Sequence, residues 1–249
     1  MMSRLSARSA EGELTLLEHL QELRQRLMVA SIALVLAIGA SLYFTSDIIR
    51  FLAEPARDQV PDFKLIFTEP MGYIGAYFRV SLLAGVTLAM PIMAYEGLMF
   101  VLPGLTPKEK RWLLPVVLGA GIAFALGVAF GFYVVLPPAL KFLFTFGEGT
   151  AQPFIRINSY IDFVTRMLLA SGLTFETPIL VMAVARFGLV TAGKLLRWWR
   201  YAIVVAFVVA AIITPSIDPV TQGLVAGPII VLYGVGIGLA WLVRRPRAS

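Results

Sequence analysis

Long apolar runs separated by short charged segments dominate the pattern along this chain. Six runs stand out, at residues 27–46, 76–101, 112–136, 160–185, 200–214 and 221–243. Most reach the roughly 20 residues that a helix needs to cross about 30 Å of hydrocarbon. The fifth would extend only about 22 Å as a helix, so it spans a bilayer only where the bilayer thins or flanking residues snorkel. Glycines and a proline interrupt the sixth, which is the second candidate for a short or bent span.

Composition agrees with this pattern and sets the fold class. Hydrophobic residues make up 59% of the chain and charged residues 14%, with a mean hydropathy of +0.83. Such values are far from those of soluble globular domains. We therefore predict an all-α integral membrane protein with six transmembrane helices in one polytopic domain, residues 1–249.

The distribution of basic residues predicts the orientation. Of the 21 lysines and arginines, 14 fall in the segments 1–26, 102–111 and 186–199, at the adjoining Arg200 and in the tail 244–249. The positive-inside rule places those segments and both termini in the cytoplasm. The opposite loops are 47–75, predicted as a folded cap of short helices, and 137–158, predicted as a turn-rich connector. Loop charge also accounts for the pI near 9.8, so no nucleic-acid partner is expected.

The search for catalytic chemistry excludes several classes. The single histidine, His19, precedes the first run, which removes an intramembrane Ser–His dyad and a two-histidine metal site. The chain contains no cysteine and no phosphate-binding Gly-x-x-x-x-Gly-Lys sequence, which removes thiolate and P-loop chemistry. We therefore expect neither an enzyme nor a cofactor or metal. Two Gly-x-x-x-Gly matches, at Gly127–Gly131 and Gly234–Gly238, are weak signals of close helix packing.

Two charged groups near the cytoplasmic boundary are candidate binding sites. The segment His19–Arg26 precedes the first run, and leucines 16, 20, 23 and 27 give it an amphipathic stripe that favours the membrane interface. The alternative is a solvated polar face on which Glu22 pairs with Arg26 at i,i+4. The second group surrounds Glu109, for which the alternative is a tight turn whose positive charges only set topology.

Glu176 lies in the middle of the fourth apolar run, directly before Thr177-Pro178. A carboxylate at that depth is costly unless it faces a protein interior, finds a partner or takes up a proton. We expect it to face the concave side of the helix group and to offer a polar contact to a partner helix or an inserted peptide. The alternative is a structural hydrogen bond to a neighbouring helix. A third group consists of Arg79, Glu96, Asp162 and Arg166, of which Asp162 and Arg166 are spaced to pair with each other.

The order of several short motifs resembles the TatC family, the polytopic core subunit of the twin-arginine protein translocase. The resemblance runs over residues 16–237 and rests on short motifs that occur in the family's order. They are His19-Leu-x-Glu22-Leu23-Arg24-x-Arg26, Pro91, Phe100-x-x-Pro103-Gly104-Leu105, Glu109-Lys110-Arg111, Gly127-x-x-Phe130-x-Phe132-Tyr133 with Pro137, Ser159-Tyr160-Ile161-x-Phe163, Gly172-Leu173-x-Phe175-Glu176-x-Pro178, Arg200-Tyr201 and Thr214-Pro215-x-x-Asp218-Pro219-x-x-Gln222. The chain departs from the family at Gly234, where a glutamate is frequent. That departure puts a carboxylate role in the sixth span in doubt.

This resemblance implies a receptor for Arg-Arg signal peptides of folded precursor proteins, located in a prokaryotic-type inner membrane and driven by the proton-motive force. It implies partners of the TatA and TatB type, which have a single span, and self-association of the chain. The residues carried over for signal-peptide binding are His19, Glu22, Leu23, Arg24 and Glu109. Those carried over for an intramembrane partner site are Phe175, Glu176, Pro178, Thr214, Pro215 and Gln222. The competing class is a secondary transporter or channel for a small solute, which the buried acid and the interrupted helices would also suit.

Overall fold

The computed structural model describes residues 2–59, 64–69, 71–101, 107–145, 154–186, 188, 190–213 and 219–242, with the side chains of 2–16, 101 and 107–112 left out. Ten α-helices and one π-helical turn lie in these ranges. They are α1 Met2–Leu42, α2 Thr45–Leu52, α3 Glu54–Arg57, α4 Gly72–Val101, α5 Pro107–Phe130, the π-helical turn Gly131–Val135, α6 Leu136–Thr145, α7 Ile157–Arg186, α8 Ala192–Arg197, α9 Trp199–Ile213 and α10 Pro219–Leu242.

The predicted all-helical class is confirmed. Five helical stretches are long and apolar enough to cross a membrane, namely 17–42, 72–100, 113–145, 157–186 and 219–242. The apolar helix α9 is shorter, with 15 residues, as its run in the sequence predicted. The β-structure in the described ranges is limited to one isolated bridge between Ile66 and Arg156.

The first helix differs from its predicted boundaries. The sequence separated an amphipathic segment, 1–26, from a span at 27–46, but α1 runs through both and ends at Leu42. Residues 13–38 contain no glycine and no proline, so nothing in the backbone favours a break at residue 26. The chain turns at Tyr43 and Phe44, and α2 then begins.

The third apolar run also extends further than predicted. The connector was expected to begin at Pro137, but α5, the π-helical turn and α6 continue as one helical stretch to Thr145. Pro137 and Pro138 directly follow the π-helical turn, where the regular i→i−4 hydrogen-bond pattern is already interrupted and a missing backbone N–H costs less. The rest of the predicted connector, up to residue 153, lies outside the described residues.

A cap of short helices closes the end of the bundle opposite to the start of α1. The helices α2 and α3 contribute the buried residues Leu52 and Ala56. The Tyr160 hydroxyl at the start of α7 donates a 2.6 Å hydrogen bond to the Leu52 carbonyl. The bridge between Ile66 and Arg156 adds two backbone hydrogen bonds between this cap and the chain before α7. The cap is thereby held to the central helix.

Helix α7 lies at the centre of the bundle, where it packs against α4, α5 and α10. Gly127 of α5 faces the α7 backbone, because a Cβ built there would lie 2.6 Å from the Ser171 carbonyl oxygen and 2.8 Å from the Gly172 Cα. Gly131 approaches the Ser171 side chain in the same way. The packing role of the first Gly-x-x-x-Gly match is therefore confirmed.

The second match does not serve packing within the chain. A Cβ built at Gly234 or Gly238 meets no atom within 4 Å among the described residues. The neighbouring Gly236, which lies outside the motif spacing, makes the close approach to Pro178 and Val181 of α7.

Substitution of Gly127 should separate α5 from α7. We expect Gly127→Ala to lower the thermal unfolding temperature of the detergent-solubilised protein, at a cost of about 1–3 kcal/mol typical of overpacked contacts. Gly234→Ala is the matched control, since its methyl group has open space. Equal unfolding temperatures for the two variants would contradict the packing role.

Candidate functional site

Residues 19–26 of α1 meet the end of α4 at one end of the bundle. His19 of α1 stacks on Phe100 of α4 with ring centroids 4.7 Å apart, and Arg26, about two turns later in α1, reaches Glu96, about one turn earlier in α4. The two helices therefore run antiparallel. We call His19, Glu22, Arg26, Glu96 and Phe100 the α1–α4 cluster, and the end of the bundle where it lies the cluster end.

Arg26 is at the centre of this cluster and joins two carboxylates. Its Nε and Nη2 donate to Glu22 Oε1 at 3.0 and 2.6 Å, and its Nη1 donates to Glu96 Oε2 at 3.2 Å. The side chains of Arg26 and Glu96 are only 19% and 13% exposed, whereas Glu22 is 30% exposed. Partial removal from water strengthens such charge-assisted hydrogen bonds relative to fully exposed pairs. The cluster thus binds a guanidinium group between acids from two helices.

The cluster confirms the Glu22–Arg26 pair that the i,i+4 spacing suggested, and adds Glu96, which the sequence analysis did not assign to binding. Glu96 is separated from Arg26 by 70 positions, so only the antiparallel register of α1 and α4 brings it there. Leu23 and Arg24 are exposed, which leaves both accessible at the cluster end. His19 Nδ1 lies 3.8 Å from Glu22 Oε2, beyond hydrogen-bond distance.

The backbone places Glu109 in the first turn of α5, and its side chain lies outside the described residues. Thr214 and Pro215 also lie outside them. Gln222 of α10 is described, and its amide donates a 3.2 Å hydrogen bond to the Phe207 carbonyl of α9. This bond ties the two helices together.

Glu176 is buried within the bundle, with 4% of its surface exposed. Its Oε1 atom has no hydrogen-bond partner among the described residues. The neighbouring Phe175 packs against Phe130 of α5 with ring centroids 5.2 Å apart, and Pro178 lies inside α7 close to Gly236 of α10. An unpartnered carboxyl oxygen in such a place is a cost to stability that an ordinary core residue would not carry.

An apolar groove of about 940 Å³ opens between α7, α9 and α10. Helix α9 contributes a row from Tyr201 to Ile213, and α7 contributes Leu173 and Thr177. Thr177 follows Glu176 directly, so the buried carboxyl lies one residue from a side chain that lines the groove. The groove passes along the short helix over most of its length.

Three members of the third charged group form an ion network, whereas the fourth, Glu96, lies in the α1–α4 cluster. Asp162 accepts contacts from Arg79 Nε at 3.4 Å and from Arg166 Nη2 at 3.0 Å. The expected Asp162–Arg166 pair is confirmed, and Arg79 adds a link from α4 to α7. Arg79 also donates to the Asn158 side chain.

Long apolar helices around a buried acid, with a charged cluster at one end, define a polytopic helical membrane protein. Residues 18–228 match the family described as Sec-independent protein translocase protein (TatC). The chain therefore belongs to the TatC family, which consists of protein translocase components rather than enzymes.

The relatives support this assignment over nearly the whole chain. Identity is 38% to the chloroplastic TATC protein of Arabidopsis thaliana, over 94% of this chain and 67% of that protein. It is 36% to TatC of Aquifex aeolicus, over 93% of this chain and 97% of that protein. A crystal structure of the twin-arginine translocase receptor TatC in DDM superposes with a TM-score of 0.81 at 37% identity, covering 89% of this chain and 99% of the other. The chain thus spans about two thirds of the chloroplast relative's length.

Proposed function

We propose that this chain is a receptor subunit of a twin-arginine translocase and that it binds the arginine pair of signal peptides at the cluster end. The observation that carries the proposal is the α1–α4 cluster, in which two carboxylates already hold a guanidinium. A guanidinium is planar and always charged, and its paired donors select a carboxylate more strictly than a lysine can. Glu22 and Glu109, on α1 and α5, are the proposed acceptors, with His19, Leu23 and Arg24 beside them.

We propose an orientation with the cluster end in the cytoplasm, six spans and both termini on that side. The five long apolar stretches and α9 supply the spans. The excess of lysine and arginine in the segments near the cluster end supports the orientation. A prokaryotic-type inner membrane is the corresponding location.

The recognition proposal is tested with purified protein in nanodiscs and a signal peptide that contains Arg-Arg. Glu22→Gln and Glu109→Gln should each weaken binding by roughly 10-fold or more, the effect of losing one charge-assisted contact. Binding should also weaken as salt is raised. Glu54→Gln at the opposite end is the control, since Glu54 is exposed and lies in the cap. Unchanged affinity in the Glu22→Gln, Glu109→Gln double variant would contradict the assignment.

We further propose that a single-span partner of the TatA or TatB type places its helix in the groove between α7, α9 and α10. The groove is long, apolar and open along α9, and a 15-residue helix favours local thinning of the bilayer. Thr214, Pro215 and Gln222 would lie at the end of this surface. Copies of the chain would associate within the same assembly.

The partner surface is tested by disulfide crosslinking, for which the absence of native cysteine gives a clean background. Cysteine at Val205 or Ile212, which both line the groove, should crosslink to cysteines along the span of the partner subunit. Leu36→Cys on α1 is the control, because Leu36 is similarly exposed. Crosslinks that form only at Leu36 would show that the proposed face is wrong.

We propose that Glu176, with Phe175 and Pro178 around it, provides the intramembrane polar contact for the partner helix or the inserted signal peptide. Support comes from its unpartnered Oε1 and its position one residue from the groove. A side-chain rotation toward the groove would exchange an unpaired buried oxygen for a partner. Such a contact needs no nucleotide, so the role of Glu176 is compatible with transport driven by the proton-motive force.

Replacement of Glu176 should separate stability from transport. Glu176→Leu removes an unpartnered buried polar group, so we expect a higher thermal unfolding temperature in detergent, in line with a penalty of about 1–3 kcal/mol. The same variant should impair transport of a twin-arginine precursor into membrane vesicles and leave Arg-Arg peptide binding intact. Glu176→Gln keeps hydrogen-bonding capacity and should be milder. Full transport by Glu176→Leu at normal insertion levels would refute the role.

A further inference from the structure

Glu96 has the features of a binding residue that the proposed site does not yet include. It comes from α4, its side chain is 13% exposed, and it accepts one hydrogen bond, from Arg26 Nη1 to its Oε2. Among the described residues no group donates to its second oxygen, Oε1. Glu22 is in the same situation, because Arg26 uses only Oε1 and His19 stays 3.8 Å from Oε2. Two carboxylates thus each keep one oxygen for a further donor.

The charges in the α1–α4 cluster point to the same kind of donor. Among the described side chains of the cluster, two carboxylates share one guanidinium, which leaves one negative charge without a bonded cation at partly buried groups. An unbalanced charge in such surroundings is costly, and a second cation would neutralise it. The spacing of the two acids already fits a guanidinium, since Arg26 spans from one to the other.

We propose that Glu96 is a further signal-peptide-binding residue and that Arg26 is a positioning residue that holds Glu22 and Glu96 as a paired acceptor. One arginine of the signal peptide then binds to the free oxygens of these two acids, while Arg26 keeps its own contacts. The inference rests on the proposed function and assigns which side chains receive that arginine. The fork of the Arg26 guanidinium suits this role better than a lysine ammonium, whose point charge does not bridge the two acids with three aligned donors.

The test compares variants against four signal peptides that carry Arg-Arg, Arg-Lys, Lys-Arg and Lys-Lys at the recognition pair. Glu96→Gln should weaken Arg-Arg binding roughly 10-fold or more. It should weaken one of the two single-arginine peptides to a similar degree and leave the other nearly unchanged, because only one arginine contacts the pair. Glu96→Asp, which keeps the carboxylate, should recover part of the loss. Glu18→Gln, an exposed acid on the same helix, is the matched control.

Variants of Arg26 distinguish positioning from competition. Arg26→Gln should lower Arg-Arg affinity, and Arg26→Lys should recover only part of it. Higher affinity in Arg26→Gln would show that Arg26 occupies the place of the peptide arginine, and would overturn the positioning role. An equal loss for all four peptides in Glu96→Gln would show a merely structural effect and overturn the binding role. If Glu22→Gln and Glu109→Gln weaken binding but Glu96→Gln does not, this inference alone fails.

Discussion

The close approach of α7 to its neighbours is the interaction on which the other features of this bundle depend. Within a bilayer, apolar side chains gain little by leaving lipid for protein, so helices associate through small residues and backbone contact. Gly127 of α5, Gly131 of the π-helical turn, Gly172 of α7 and Gly236 of α10 supply that contact. The position of α7 then sets the burial of Glu176, the shape of the groove beside α9 and the anchoring of the cap through Tyr160.

Charged groups act as links at both ends of the bundle, but with different consequences. At the cap end, Asp162 is shared by two arginines and joins α4 to α7. At the cluster end the ratio is reversed, since one arginine is shared by two acids of α1 and α4. At the cap end, two arginines thus share one carboxylate. At the cluster end, two carboxylates share one arginine, and a carboxylate oxygen remains to accept a hydrogen bond from a further cation. This asymmetry supports a binding role for the cluster end and a structural role for the other.

The sequence predicted those features that depend on local spacing. The lengths of the apolar runs predicted the all-helical class and the short α9, and the i,i+4 rule predicted the Glu22–Arg26 pair. Glu96 was not assigned to the site, because its contact depends on how α1 and α4 align, which no local pattern contains. The two Gly-x-x-x-Gly motifs show the same limit. Their spacing is identical, but among the described residues Gly127 and Gly131 approach another helix, whereas Gly234 and Gly238 do not. Pro137 predicted the end of the helix. The chain instead stays helical there, because the preceding π-helical turn already interrupts the regular hydrogen-bond pattern that a proline would break.

The local charges and the apolar surface around the cluster end have complementary roles in the proposed recognition. An exposed ion pair is worth at most about 1 kcal/mol, so an arginine pair alone would bind weakly to surface acids. Partial burial of Arg26 and Glu96 raises the value of each contact, and Leu20 and Leu27 remain widely exposed on the same helix as Glu22. Those leucines can bury apolar residues of a signal peptide at about 25 cal/mol per Å². Selectivity for arginine would then come from the acids, and most of the affinity from the exposed leucines beside them.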